Sequence, residues 1–161
     1  MRIGVVGDTH NNLQSVRRIV EIFDRAGVER VVHTGDITQA KVLEAFAAMR
    51  ASLFGVWGNN DLERDTLEHA ARTHAMHIVE GPLEVEWHGR SIVVTHDPLD
   101  LDAHLADHHA LALHGHTHLL RFERVRDTVV FNPGECAGML PGWNRVGMVD
   151  LETLHCELEH F

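Results

Sequence analysis

The chain has 161 residues, 44% hydrophobic and 24% charged, which suits one domain with a sizeable core and excludes a disordered chain. Its formal charge of -10 disfavours non-specific binding to nucleic acid or to an anionic membrane surface. No apolar run approaches the roughly 18 residues that a membrane span needs.

Met1 leads straight into a β-branched run without a secretory leader pattern. Cys136 and Cys156 are too few for a disulfide framework and too far apart for a C-x-x-C site, so a reduced cytoplasm is the expected compartment. Histidine is abundant, at 15 residues. It is the commonest metal ligand and the usual proton shuttle near neutral pH, so position decides which of them function.

In chain order, Arg2 to Val6 reads as a strand, and Leu13, Val16, Ile19, Val20 and Phe23 then recur at helical spacing. Asn12 fits an N-cap and Gly27 a C′ residue. Strands follow at Arg30 to Thr34 and Ser52 to Trp57, with helices at Ala40 to Arg50 and Leu62 to Thr73. From Leu83 the pattern alternates with period two through Trp87, and His88-Gly89 turns into a strand over Arg90 to Thr95. A short polar helix is predicted over Leu101 to His109 and a strand over Leu111 to Leu113. Further strands are predicted at Phe122 to Arg126, Val129 to Phe131, Arg145 to Asp150 and Thr153 to Glu159. In the last, Leu154, Cys156 and Leu158 share one face. With no repeat or linker, the chain reads as a single domain over 1–161. The βαβαβα start implies a parallel sheet and the hairpin-rich end mixed pairing, which two packed sheets with outer helices accommodate.

Five polar clusters stand immediately after five of these strands: Asp8-Thr9-His10, Gly35-Asp36, Gly58-Asn59-Asn60-Asp61, His96, and His114-Gly115-His116-Thr117-His118. Ligands of open α/β sheets bind outside the carboxyl ends of strands, where such loops converge. The donors are oxygen and imidazole with no thiolate, a set that suits manganese, iron, nickel, cobalt or zinc. Asp8, His10, Asp36, Asn59, His96, His116 and His118 exceed what one tetrahedral ion requires. They fit two ions sharing Asp36. Two metals about 3.5–4 Å apart hold a hydroxide between them and clamp the oxygens of an in-line displacement, and phosphate-ester hydrolysis makes best use of that. Caps and turns would explain any one of these residues, but they leave unexplained why three histidines follow strand ends in this order.

The ordered set Asp8-x-His10, Gly35-Asp36, Gly58-Asn59-x-Asp61, His96 and Gly115-His116-Thr117-His118 resembles the calcineurin-like metallophosphoesterase superfamily. The length, the early Gly7-Asp8-Thr9-His10 and the late Asn132-Pro133-Gly134-Glu135 resemble its small single-domain branch of YfcE-like phosphodiesterases. The resemblance implies an α/β fold, a four-layer αββα sandwich of two mixed sheets flanked by helices. It implies one ion on Asp8, His10, Asp36 and His118, and a second on Asp36, Asn59, His96 and His116, with manganese first among the candidate metals. Asp61 then orients a ligand histidine or a nearby loop. The implied activity is hydrolysis of a small phosphodiester. The same branch includes the light, sheet-rich subunit of the retromer coat, so a non-catalytic binding scaffold is the alternative, and the intact ligand set argues against it.

Two departures stand out. Asn60 occupies the position where many superfamily members carry a histidine thought to protonate the leaving group, and an amide is not a general acid. His96 is followed by Asp97-Pro98 where the branch tends to carry a second histidine, which adds an anion near the site. Among the remaining histidines, His33 reads as a core or sheet residue, His104, His108 and His109 as a solvated helix face, and His114 as a neighbour of the ligand pair. Cys136 reads as a buried thiol. The loop Met139-Leu140-Pro141-Gly142-Trp143 concentrates apolar groups suited to a homodimer contact, a cleft wall or packing on the chain's own core.

Overall fold

The structure, a computed structural model, describes residues 1–139 and 142–161. The first half alternates strand and helix: β1 (Arg2–Val6), α1 (Leu13–Ala26), β2 (Arg30–His33), α2 (Ala40–Phe46), β3 (Ser52–Val56), α3 (Arg64–Thr73) and β4 (His77–Val79). There follow β5 (Leu83–Trp87), β6 (Arg90–Val94), α4 (Pro98–His104), β7 (Leu111–Leu113), β8 (Arg121–Val125), β9 (Thr128–Asn132), β10 (Arg145–Asp150) and β11 (His155–His160). One sheet has the order β11-β10-β1-β2-β3-β4 and the other β5-β6-β7-β9-β8. β1 to β4 run parallel, with β10 antiparallel against β1 and β11 against β10. In the second sheet β6, β7 and β9 are parallel and the two edge strands antiparallel.

The side chains sort by strand parity. Ile3, Val5, Val32 and Val56 of the first sheet meet Ile92, Val94, Leu111, Leu113 and Phe131 of the second in the inner core. Val6, Val31 and Leu53 face the other way, onto Val16, Ile19 and Phe23 of α1, Leu43 and Phe46 of α2 and Leu67 of α3. Leu101 of α4 packs on Val93, Ala112 and Val130, the outer face of the second sheet. The result is the αββα sandwich with two mixed sheets. Each buried aliphatic or aromatic side chain stabilises it by roughly 1.5–3 kcal/mol.

Local signals set the ends of α1. Asn12 Oδ1 accepts from Ser15 N at 3.1 Å, and Gly27 closes the helix at φ 64° with its N–H on the Asp24 and Phe23 carbonyls. Four elements differ from the sequence expectation, the first being α2, which ends at Phe46 rather than Arg50. β4 is only three residues long and carries no alternation to reveal it. α4 begins and ends earlier than predicted, because Asp97 caps it by accepting from Leu99 N at 2.8 Å with Pro98 in its first turn. β11 begins at His155, after a turn in which Leu154 N–H donates to Asp150 O at 2.7 Å. Leu154, Cys156 and Leu158 do face the inner core together.

Candidate metal centre

Parallel neighbours end at the same rim, so the loops after β1, β2 and β3 arrive together and meet those after β6 and β7. Backbone bonds staple the first two loops: Asp8 N–H donates to Gly35 O at 3.0 Å and His10 N–H to Asp36 O at 2.8 Å. His33 ties them again from below. Gly35 N–H donates to its Nδ1 at 3.1 Å, so the neutral ring carries its proton on Nε2, 3.0 Å from Thr9 Oγ1. Burial pushes His33 down to about 3, which keeps it uncharged under the carboxylates. Asp61 organises the next pair of loops, accepting from Gly58 N at 2.6 Å, Asp36 N at 3.2 Å, Ile37 N at 2.7 Å and Thr38 N at 2.6 Å. Of the two roles expected for Asp61, this is loop organisation rather than orientation of a histidine.

Backbone strain is concentrated here. Asp8, His10, Asp36, His116 and His118 all have φ between 44° and 67°. Left-handed geometry costs roughly 1–2 kcal/mol at a residue with a side chain, so the surrounding bonds must hold these positions in place. Gly35 has φ 101°, and a Cβ there would lie 2.6 Å from His96 Nδ1, an approach that only glycine permits.

The seven sequence-predicted donors come together. Ligand atoms of Asp8, His10, Asp36 and His118 all lie within 4.8 Å of one another. His10 Nε2 is buried, finds no hydrogen-bond partner among the described residues and sits 3.8 Å from Asp36 Oδ2. His118 Nε2 is 3.6 Å from Asp8 Oδ1. On the other side, His96 Nε2 is 3.5 Å from Asp36 Oδ1. The His96 Nδ1–H donates to the Thr34 carbonyl at 2.8 Å, which leaves the Nε2 lone pair of the neutral ring 2.8 Å from Asn59 Oδ1. His116 Nδ1 joins them, 3.0 Å from Asn59 Oδ1 and 3.2 Å from His96 Nε2. Two acceptors at 2.8 Å and an orphaned buried imidazole nitrogen are costly without a cation. The donor set therefore fits divalent ions.

Asp8, Asp36 and Asp61 form a buried floor, while His116, Asn59 and Asn60 stand exposed at the rim. Asn60 donates from its backbone N to Asp36 Oδ1 at 2.9 Å and from Nδ2 to Asp36 Oδ2 at 2.8 Å. Burial works to raise Asp36, and these two bonds together with His96 and His10 outweigh it, so its carboxyl is held below the usual range. Asp97, the extra anion, has Oδ2 3.8 Å from His116 Nε2. Beside His96 a cleft of about 210 Å³ runs between Trp57, Glu80, Thr95, Asp100 and His104. A larger one of about 750 Å³ lies along α1, against Arg17, Arg18, Asn144 and Phe161 rather than over the carboxylates.

Asp8 titrates differently. Burial, reinforced by the charge of Asp36, pushes it up to about 8. The folded metal-free chain thus holds a proton that the unfolded chain releases near 3.8, and folding loses stability as pH rises toward 8. The lowered histidines, His10, His33, His109 and His114, act in the opposite sense only below about 6.5. Between pH 7 and 8 the chelated protein is expected to lose about 1 kcal/mol of stability. The gain in melting temperature from added manganese is expected to grow over the same interval, because the ion competes with that proton. Equal melting temperatures of the chelated protein at both pH values would contradict this.

The sequence names Glu135 only within the Asn132-Pro133-Gly134-Glu135 motif and gives it no role at the site, yet it is buried with Oε2 3.2 Å from His118 Nδ1. The pairing joins residues from different loops. Only its place after a strand-end Asn-Pro-Gly turn hints at it. His114 is buried behind the rim, with Nδ1 on its neighbour's carbonyl at 3.0 Å and Arg121 near its other nitrogen. Cys136 is buried, its thiol pushed up by burial and donating to Arg145 O at 2.9 Å, and it is not a nucleophile. Leu140 and Pro141 of the apolar loop lie outside the described residues, and Met139 and Trp143 are exposed. Glu84, His108 and His109 form another close group. However, Ala106 N–H donates to His109 Nδ1 at 3.1 Å, so the neutral ring keeps its proton on Nε2 and offers no lone pair there. α4 ends at His104, so His104 and His108 do not share the helix face expected for them.

Two named relatives that match over most of the chain are phosphodiesterases. The phosphodiesterase MJ0936 of Methanocaldococcus jannaschii is 35% identical over 156 residues, covering 94% of each chain. The phosphodiesterase YfcE of Escherichia coli is 24% identical over 176 residues, covering 96% of this chain and 90% of its own. The solved structure of an archaeal phosphodiesterase superposes with a TM-score of 0.90 at 31% identity, covering 100% of both chains. The model of the calcineurin-like phosphoesterase superfamily domain matches residues 1–154. The chain belongs to the calcineurin-like phosphoesterase superfamily.

Proposed function

We propose that this chain is a binuclear metal-dependent phosphodiesterase. Asp8, His10, Asp36 and His118 hold one divalent ion, and Asp36, Asn59, His96 and His116 the other. The observation that carries this is the position of Asp36, whose Oδ2 faces His10 at 3.8 Å while its Oδ1 faces His96 at 3.5 Å. Bound there, two ions supply Lewis acidity toward phosphoryl oxygens and bring the acidity of water near neutrality. Manganese is the first candidate, on the all-oxygen and imidazole donor set.

The chain's own residues do the rest. The paired Asn60 bonds keep Asp36 ionised and oriented between both donor sets. Asn59 and His116, exposed at the rim, are the side chains a phosphoryl oxygen meets first. Water displaces the alcohol in line at phosphorus, and the alcohol leaves with a proton that Asn60 does not supply. A singly charged diester is repelled less than a monoester by a chain of charge -10. The cleft beside His96 accommodates the second ester arm. The same reading keeps 1–161 as one cytoplasmic domain. Exposed Met139 and Trp143 are the surface offered to a second copy. No described helix is long and apolar enough to cross a membrane.

With manganese present, bis(p-nitrophenyl) phosphate is expected to turn over faster than p-nitrophenyl phosphate; the reverse order would overturn the diester assignment. Asn60→His is expected to raise turnover of alkyl diesters by about 10-fold or more relative to aryl diesters, less than the roughly 10²–10⁴-fold of a fully positioned general acid. An equal change for both would contradict the missing-acid argument.

A further inference from the structure

We propose that Glu135 is a positioning residue that sets the tautomer of His118 and makes the Asp8, His10, Asp36 and His118 donor set the tighter of the two. The proposal rests on the metal reading above. A neutral imidazole divides its proton between two nitrogens, and only one arrangement turns a lone pair toward Asp8. With Glu135 Oε2 3.2 Å from Nδ1, the proton stays on Nδ1 and Nε2, 3.6 Å from Asp8 Oδ1, is left as the ligand atom. A carboxylate on the far nitrogen also makes the ring a stronger donor.

The fold holds Glu135 there from both sides. Asn132, the last residue of β9, accepts from Gly134 N at 2.9 Å, and Gly134 turns at φ 101°. Arg145 packs so closely that a Cβ on Gly134 would lie 2.5 Å from its guanidinium, and the left-handed φ there favours glycine. Beyond the carboxylate, Arg145 N–H donates to Glu135 O at 3.1 Å and Cys136 N–H to Asp8 O at 3.4 Å, which ties this turn to the Asp8 loop. The Glu135 side chain is 3% exposed against 26% for His118, so the ring sits between a buried carboxylate and the open rim.

The two donor sets differ in this respect. The outer nitrogen of His96 is satisfied by a neutral carbonyl of Thr34, that of His118 by a carboxylate. Asp8, Asp36 and Glu135 place three carboxylates around the first set, while the second has Asp36 and, farther off at 3.8 Å from His116 Nε2, Asp97. The first set therefore loads first.

The test is calorimetric titration of chelator-stripped protein with Mn²⁺, paired with nitrogen-15 NMR of the histidine rings in the metal-free protein. Wild type is expected to bind in two unequal steps with His118 in the Nδ1–H form. Glu135→Ala is expected to weaken the tight step by about 10–100-fold and to mix the His118 tautomers, leaving the weak step within about 2-fold. Glu135→Gln keeps an acceptor oxygen, so it is expected to retain the tautomer and lose about 10-fold in the tight step. Melting curves of both variants confirm that each is folded. Two wild-type steps in Glu135→Ala, or equal weakening of both steps, would overturn this proposal alone. A wild type that binds no ion would overturn it together with the binuclear reading.

Discussion

Asp36→Ala is expected to lower phosphodiester turnover by on the order of 10³-fold or more. The carboxylate is 1% exposed and lies between His10 on one side and His96 on the other. Its removal takes one oxygen from each donor set at once, so both ions are weakened rather than one. It also strands the Asn60 backbone and side-chain donors, which sit at 2.9 and 2.8 Å from it. Asp36→Asn separates shape from charge, because the amide nearly preserves volume but cannot offer an anionic oxygen to both sides. A comparable loss of turnover with a near-wild-type melting curve for Asp36→Asn is the expected pair of results. Retention of a tenth or more of the activity in either variant would contradict the shared-carboxylate assignment.

Asp61→Ala is expected to reduce stability by about 3–5 kcal/mol, one of the largest single-residue effects in the molecule. Four backbone N–H groups, on Gly58, Asp36, Ile37 and Thr38, converge on its two oxygens, and the side chain is 2% exposed. Alanine leaves those donors without an acceptor in a place water does not readily reach. Asp61→Asn is expected to lie between, since its amide nitrogen would face donors. The same bonds hold Asp36 in its left-handed conformation, so metal affinity is expected to fall with stability. Urea unfolding of the chelated variants measures the first effect. A loss under 1 kcal/mol would show that the loops hold themselves.

The parts of this architecture visible in the sequence are those that depend on local order. β-branched runs ending in Gly-Asp or Gly-Asn announce a strand that stops at a tight turn with a carboxylate or amide beyond it. Three such endings, with His96 after a fourth strand and Gly115-His116 after a fifth, place Asp8, His10, Asp36, Asn59, His96, His116 and His118 at one rim. The apolar stripe from Leu13 to Phe23 and its caps define α1 in the same way. What depended on partners distant in the chain was not visible. Glu135 meets His118 across 17 residues, and His33 meets Thr9 across 24, although each looks ordinary in its own segment. Asn60 was read only for the proton it lacks, whereas its two bonds to Asp36 hold the carboxylate between the donor sets. A polar helix over Leu101 to His109 leaves the Asp97-Pro98 capping signal out of account, and that signal sets the start of α4. β4 pairs only through β3 and has too few residues to carry a period of its own.

The most direct test is to titrate chelator-stripped protein with Mn²⁺ while following hydrolysis of bis(p-nitrophenyl) phosphate. A binuclear phosphodiesterase predicts almost no turnover at one equivalent and a rise that completes near two, absent in Asp36→Ala. Full turnover at one equivalent would contradict the two-ion centre, and no turnover with both equivalents bound would contradict the phosphodiesterase assignment itself.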